Sequence, residues 1–161
     1  MQGEAEVRRA LYQHADTIRR ICILHLKNRH DVEDVFQEVF LKYALHSGVW
    51  ESDEHERAWL IRVAINACKD VLKSFYRKRV SSLEDAGEQY FVIQEPDREV
   101  LDAVLRLPQK YRDVIYLHYF EGYKAWEIAA ILKKKENTIY SWLARAREQL
   151  RRELGGEPNE N

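Results

Sequence analysis

Apolar positions recur along most of this chain at intervals of three and four residues, the spacing that lines one face of an α-helix, and almost nowhere do they alternate with polar ones. Residues 4–27 carry the pattern at Val7, Leu11, Ile18, Ile21 and Leu24. Asp31 is placed to cap a second helix whose apolar side is Val32, Val35, Phe36, Val39, Phe40 and Tyr43. A third helix is predicted from near Asp53 or Glu56 to about Arg79, burying Leu60, Ala64, Ala67, Val71 and Phe75. These three helices can share one core.

Between Val80 and Asp97 the periodicity fails. The stretch SSLEDAGEQYFVIQEPD is acidic and holds Gly87 and Pro96, so it reads as a linker with one apolar anchor at Tyr90–Ile93. Beyond it the pattern predicts a short helix from about Arg98 to Arg106 and another opened by Pro108 and ending near Gly122. Two amphipathic helices follow. The first buries Ala125, Ile128, Ala129 and Leu132. The second turns Ile139, Leu143, Ala146 and Leu150 inward and Asn137, Ser141, Ala144, Arg145, Glu148 and Arg152 outward. No internal repeat is present. The reading is therefore all-α: two small helical domains, 1–79 and 98–154, joined by the linker 80–97 and followed by a flexible tail at 155–161.

Composition agrees with a globular chain: of 161 residues, 45% are hydrophobic and 33% charged, which argues against disorder. The 26 Lys and Arg against 27 Asp and Glu predict no polyanionic partner from bulk charge, so only the placement of charge can. Cys22 and Cys68 lie in apolar helical patterns with no CxxC or zinc-finger spacing, which suits buried free thiols in a reducing, cytoplasmic setting. The start MQGEAEVRRALYQ has no apolar signal segment, and no run approaches the about 20 apolar residues of a membrane span. Neither secretion nor membrane insertion is expected.

Nothing points to an enzyme. His14, His25, His30, His46, His55 and His118 form no HExxH pair, and there is neither a Walker-type loop nor a nucleophile motif. No catalytic residue, metal ligand or cofactor is expected. His25 and His30 read as surface residues, and Glu33 and Asp34 as solvated or partner-facing carboxylates.

Charge placement is more telling. From Lys133 to Arg152 there are seven Lys or Arg against two Glu, on a helix pair joined by a turn of three to four residues. A helix-turn-helix has this build, and its second helix enters the DNA major groove with N-terminal side chains toward the bases. Lys133, Lys134 and Lys135 would meet phosphates, while Asn137, Thr138, Ser141 and Arg145 have the chemistry to read bases. Taken alone, the pair fits equally a helical hairpin with a solvated basic face. Along the third helix Arg62, Asn66, Lys69, Lys73 and Arg77 share one side, flanked by Trp59 and Asp70. An aromatic and an amide among basic residues can grip a backbone and meet unstacked bases, although such a stripe is often only a solvated face. The second helix instead turns Asp34, Gln37, Glu38 and Leu41 outward, which suits a protein partner.

With three such faces in this order, the chain resembles the bacterial RNA polymerase sigma factors, in particular the extracytoplasmic-function branch. DVEDVFQEVFLKYA (31–44) is similar to the helix that docks on the polymerase clamp. RAWLIRVAINACKDVLKSFYRKR (57–79) resembles the −10 element helix. LPQKYRDVIYLHYFEGYKAWEIAAILKKKENTIYSWLARAREQLRREL (107–154) resembles the −35 helix-turn-helix domain. The resemblance implies that Asp34, Gln37 and Glu38, with Leu41 on the same face, meet core RNA polymerase. It assigns Asn66, Asp70, Lys69, Lys73 and Arg77 to the −10 region, with Trp59 and Arg62 assisting strand opening. It sets Asn137, Thr138, Ser141 and Arg145 on the −35 element, the lysines of the bend lying near its backbone. Promoter DNA and core polymerase are the implied partners, and the family is often held inactive by an anti-sigma protein covering the same surfaces.

Four positions depart from the family pattern. Lys133 stands where a bend glycine is usual, which costs roughly 1 kcal/mol in a left-handed turn or forces another shape. Lys124 replaces a capping Ser or Thr, a loss of about 1 kcal/mol unless another group substitutes. Trp126 lies outward where an acid is common, and Trp142 replaces a frequent Arg, leaving two tryptophans for a partner protein. Two other functions fit parts of the pattern. A stand-alone helix-turn-helix regulator would dimerise or sense a ligand through its first block, and a helical adaptor would bind proteins through the acidic face and Trp126.

Overall fold

The structure, a computed structural model, describes residues 1–81 and 98–155, with side chains described for 1–74 and 99–155. Residues 82–97 of the predicted linker, with its Tyr90–Ile93 anchor, the side chains of Phe75 and Arg77, and the tail beyond Gly155 lie outside the described residues, while Val80 and Ser81, expected to open the linker, continue the third helix. The described elements are seven α-helices and one π turn. They are α1 (Glu4–His25), α2 (Arg29–Leu45), α3 (Asp53–Ser81), α4 (Arg98–Leu105), α5 (Gln109–Ile115, continued by a π turn at Tyr116–Phe120), α6 (Ala125–Leu132) and α7 (Glu136–Glu153). The chain divides into two compact units, residues 1–91 and 92–161.

In the first unit α1, α2 and α3 pack pairwise against one another. Val32, Val35, Val39 and Tyr43 of α2 are fully buried, as are Leu60, Ile61, Ala64 and Cys68 of α3. Val71 is only half-buried. Helix α2 is capped by Asn28 rather than Asp31: its Oδ1 accepts from the backbone N–H of His30 (2.7 Å) and Asp31 (3.2 Å). Asp31 falls inside the first turn, where a carboxylate still favours the helix dipole. Ser52 caps α3, its hydroxyl accepting from the His55 N–H at 3.0 Å.

The buried face of α1 differs from the predicted stripe. Ala10, His14, Thr17, Ile18, Ile21, Cys22 and His25 point inward, while Val7, Leu11 and Leu24 flank them half-buried. His25 is thus a core residue, 4% exposed, because it continues the inward row through Ile18, Ile21 and Cys22. His30, by contrast, is exposed.

A polar cluster explains the rotation of α1. Glu56 is 1% exposed and accepts from Arg9 through Nη2 (2.7 Å) and Nη1 (3.2 Å), from the Tyr43 hydroxyl, and lies 3.3 Å from His14 Nε2. Burial disfavours the Glu56 carboxylate, but hydrogen bonds from Arg9, Tyr43 and His14 outweigh it and hold the carboxyl below its ordinary value. Burial and the same bond push the Tyr43 phenol well above its ordinary range, and the Glu56 bond raises Arg9. All three helices meet at this one carboxylate.

In the second unit α7 packs against α5 and α6, with α4 alongside. Ile139 and Ala146 are fully buried and Leu143 nearly so, facing Val114, Leu117 and Ile128 in the same core. Leu132 and Leu150 are half-buried, and Ile131 is buried in their place. The helix opened by Pro108 ends in a π turn, closed by Glu121 N–H to Tyr116 O at 3.1 Å. Gly122 follows with φ 80°, a conformation glycine adopts freely.

Candidate nucleic-acid interface

Residues 122–154 build a helix-turn-helix. Lys133 takes the left-handed conformation (φ 58°, ψ 50°), so the bend has its usual shape with a side chain in place of glycine. The Lys134 N–H closes the end of α6 on Ala129 O at 2.9 Å. A lysine side chain offers no acceptor at the start of α6, and Glu127 substitutes in part: its Oε1 accepts from the Lys124 N–H at 2.8 Å. Helix α7 then presents Asn137, Ser141 and Arg145 to solvent, with Lys133, Lys134 and Lys135 exposed ahead of them; Thr138 is half-buried. Arg147 ties α7 to the π turn by donating to the Tyr119 hydroxyl (3.0 Å), and Arg106 ties α4 to Glu153 (2.9 Å). Trp126 is 59% exposed, as predicted. Trp142 is not free: it is half-buried, with Lys110 Nζ 5.3 Å over its ring.

On α3 the amide and cations share one side as their spacing requires. Asn66, Asp70 and Lys73 are exposed, and Arg62 and Lys69 are half-buried. Trp59 is held in an aromatic group that sequence reading missed. Its ring lies 4.9 Å from His46 and 5.3 Å from Trp50, and Trp50 stacks on both His46 (4.4 Å) and Tyr43 (5.8 Å). Gly48 permits this packing, since a Cβ there would meet His46 Cε1 at 2.7 Å. The available signal was the density of histidine and tryptophan in HSGVWESDEHERAW.

On α2 the side chains of Asp34, Gln37, Glu38 and Leu41 form one exposed row, with Leu41 59% exposed. Glu38 pairs with Lys42 (3.1 Å) and Asp34 approaches His30 (3.4 Å), both at the surface, where such pairs contribute little. Glu33 is a solvent-accessible carboxylate that pairs with Arg19, whose guanidinium lies 4.1 Å over the Phe36 ring. Among the described residues no three His, Cys, Asp or Glu side chains are grouped to hold a metal, and no helix is long and apolar enough to cross a membrane.

Comparison with known proteins fits this geometry. Residues 11–81 match the model of Sigma-70 region 2, and residues 97–150 that of Sigma-70 region 4. The chain is 30% identical over 148 residues to the ECF RNA polymerase sigma factor SigM of Mycobacterium tuberculosis, covering 89% of this chain and 74% of the relative. The chain belongs to the ECF RNA polymerase sigma factors. This sigma factor is also 28% identical over 156 residues to SigW of Bacillus subtilis, covering 86% of its own length and 83% of SigW. Its fold is shared with the sigma factor RpoE, solved in complex with the anti-sigma factor NepR from Bartonella quintana: the TM-score is 0.78 at 21% identity, over 93% of this chain and 97% of that one. It is accordingly a transcription initiation factor with an all-α fold.

Proposed function

We propose that this sigma factor joins core RNA polymerase in the cytoplasm, directs it to a small set of promoters and assists their opening, the polymerisation chemistry belonging wholly to the polymerase. Residues 1–79 serve as the clamp and −10 domain, 98–154 as the −35 domain, and 80–97 as the connection. Asp34, Gln37, Glu38 and Leu41 meet the polymerase. Asn66 and Asp70, with Lys69, Lys73 and Arg77, engage the −10 region, and Trp59 and Arg62 assist strand separation. Lys133, Lys134 and Lys135 neutralise phosphates ahead of Asn137, Thr138, Ser141 and Arg145 on the −35 element. An anti-sigma protein covering these surfaces is the proposed regulator.

The observation that carries this reading is the order of exposed faces: an acidic and apolar row on α2, an amide among cations on α3, and a polar recognition face on α7. With 26 cations against 27 anions, the free protein has little net attraction for DNA, so promoter binding depends on the polymerase. Gel filtration with bacterial core RNA polymerase, followed by run-off transcription from a pool of promoter fragments, tests it. A stable complex that starts transcripts on few fragments is the expected result. Specific operator binding by a free dimer, with no polymerase complex, would establish a stand-alone regulator instead; salt-insensitive partner binding without DNA would establish an adaptor.

A further inference from the structure

Tyr140 lies on α7 beside the residues proposed to read DNA and is 55% exposed. Two neighbouring aromatics of this unit are engaged: Tyr119 accepts from Arg147, and Trp142 packs under Lys110. Tyr140 has no hydrogen bond, ion pair or ring partner among the described residues. Its place on the helix makes this informative. Asn137 precedes it by three positions and Ala144 follows by four, so both sit next to it on the helix surface, and Ser141, one residue on, lies about 100° around the helix at the centre of the exposed arc. Ala144 is exposed and small, which leaves room over the following turn for a base-pair edge to approach the ring.

The chemistry of that approach is limited. A phenol ring carries no bidentate donor or acceptor for guanine or adenine, and it bears no charge for phosphate. Besides one hydroxyl, able to make a single hydrogen bond that Tyr140→Phe removes, what it offers to a major-groove edge is apolar surface, and the apolar group that a base presents there is the thymine C5-methyl. We propose that Tyr140 is a specificity residue of the −35 interface, packing its ring on the methyl group of a thymine while Asn137, Ser141 and Arg145 make the polar contacts. This rests on the assignment of α7 to the −35 element, and the experiment keeps the two apart.

The probes are promoter fragments from which the holoenzyme starts transcription, with each −35 thymine replaced in turn by deoxyuracil. That change removes the methyl and leaves pairing intact. Holoenzyme binding is measured by competition for the wild type, Tyr140→Phe and Tyr140→Ala, with helicity and core-polymerase binding as controls on folding. The expected result is one or two positions where loss of the methyl weakens wild-type binding by about fourfold, the value of burying one such group. Tyr140→Phe keeps this sensitivity, and Tyr140→Ala binds all fragments alike at those positions. The proposal is overturned if no position is sensitive, if Tyr140→Ala stays as sensitive as wild type, if Tyr140→Phe behaves like Tyr140→Ala, or if the element holds no thymine. Failure to form any active holoenzyme would instead remove the functional reading itself.

Discussion

The two units of this sigma factor hold themselves together in different ways. The first gathers three long helices around a buried carboxylate, Glu56, that receives bonds from Arg9 on α1 and Tyr43 on α2. The second joins mostly shorter helices through an apolar centre at Ile128, Ile139, Leu143 and Ala146; it also buries a carboxylate, Asp113 on α5, while the side-chain bonds Arg147–Tyr119 and Arg106–Glu153 lie toward the outside. A central polar anchor fixes one arrangement of helices, since every misalignment leaves a donor or acceptor unpaired. It also makes that unit sensitive to a single side chain and to acid, which peripheral ties do not.

Glu56→Ala puts that contrast to its hardest test. It strands the Tyr43 hydroxyl and His14 in the core, and a loss of about 3 kcal/mol is expected for the first unit in thermal or denaturant unfolding. The second unit should unfold as before. Were both units to lose stability equally, the anchor would not be local to the first.

Acid sharpens the same comparison. The folded-state pKa of Glu56 is depressed, so its contribution is fully present above the unfolded value and disappears as pH falls through the folded one. The first unit should therefore lose stability as pH drops below the ordinary carboxylate range, and Glu56→Gln should flatten that loss. Fluorescence and circular dichroism across acid pH would reveal it; an unchanged acid profile in Glu56→Gln would assign the loss to other groups.

The proposed roles of α2 and α3 divide the first unit as well. Asn66→Ala should impair promoter opening, read by permanganate reactivity, more than polymerase binding. The double change Gln37→Ala and Glu38→Ala should do the reverse, weakening the polymerase complex by roughly tenfold at low salt. Equal loss of both activities in both folded variants would mean that α2 and α3 do not hold distinct roles.

The smallest effect belongs to the second unit. Lys133→Gly relieves a left-handed residue and should raise stability by about 1 kcal/mol, while removing one cation from the bend proposed to face DNA. A stabilised variant with a lower salt dependence of promoter binding is expected. A destabilised one would show that glycine's greater freedom in the unfolded chain outweighs the relief.

Much of this was legible in the residues because helices announce themselves locally. The three- and four-residue spacing located every described helix, and the outward rows on α2, α3 and α7 follow from the same geometry once the apolar side is known. Residue type by itself misassigned what lay at the ends and among the polar positions. Asp31 looked like a cap, but Asn28 reaches the free N–H groups first. His25 looked like a surface group, yet it continues the buried row of α1.

What the sequence determined unaided was therefore everything carried by short-range order: helix positions, the helix-turn-helix, the separation into two helical blocks and the chemistry of their exposed rows. What the tertiary structure alone decided was which polar groups meet. Glu56 with Arg9, His14 and Tyr43, Trp59 with His46 and Trp50, and the π turn that tethers Tyr119 to Arg147 all join residues whose partners lie on other helices or loops. The physical reason is that periodicity reports only whether a position faces inward, whereas a hydrogen bond or ring contact depends on where a second helix has been brought to lie.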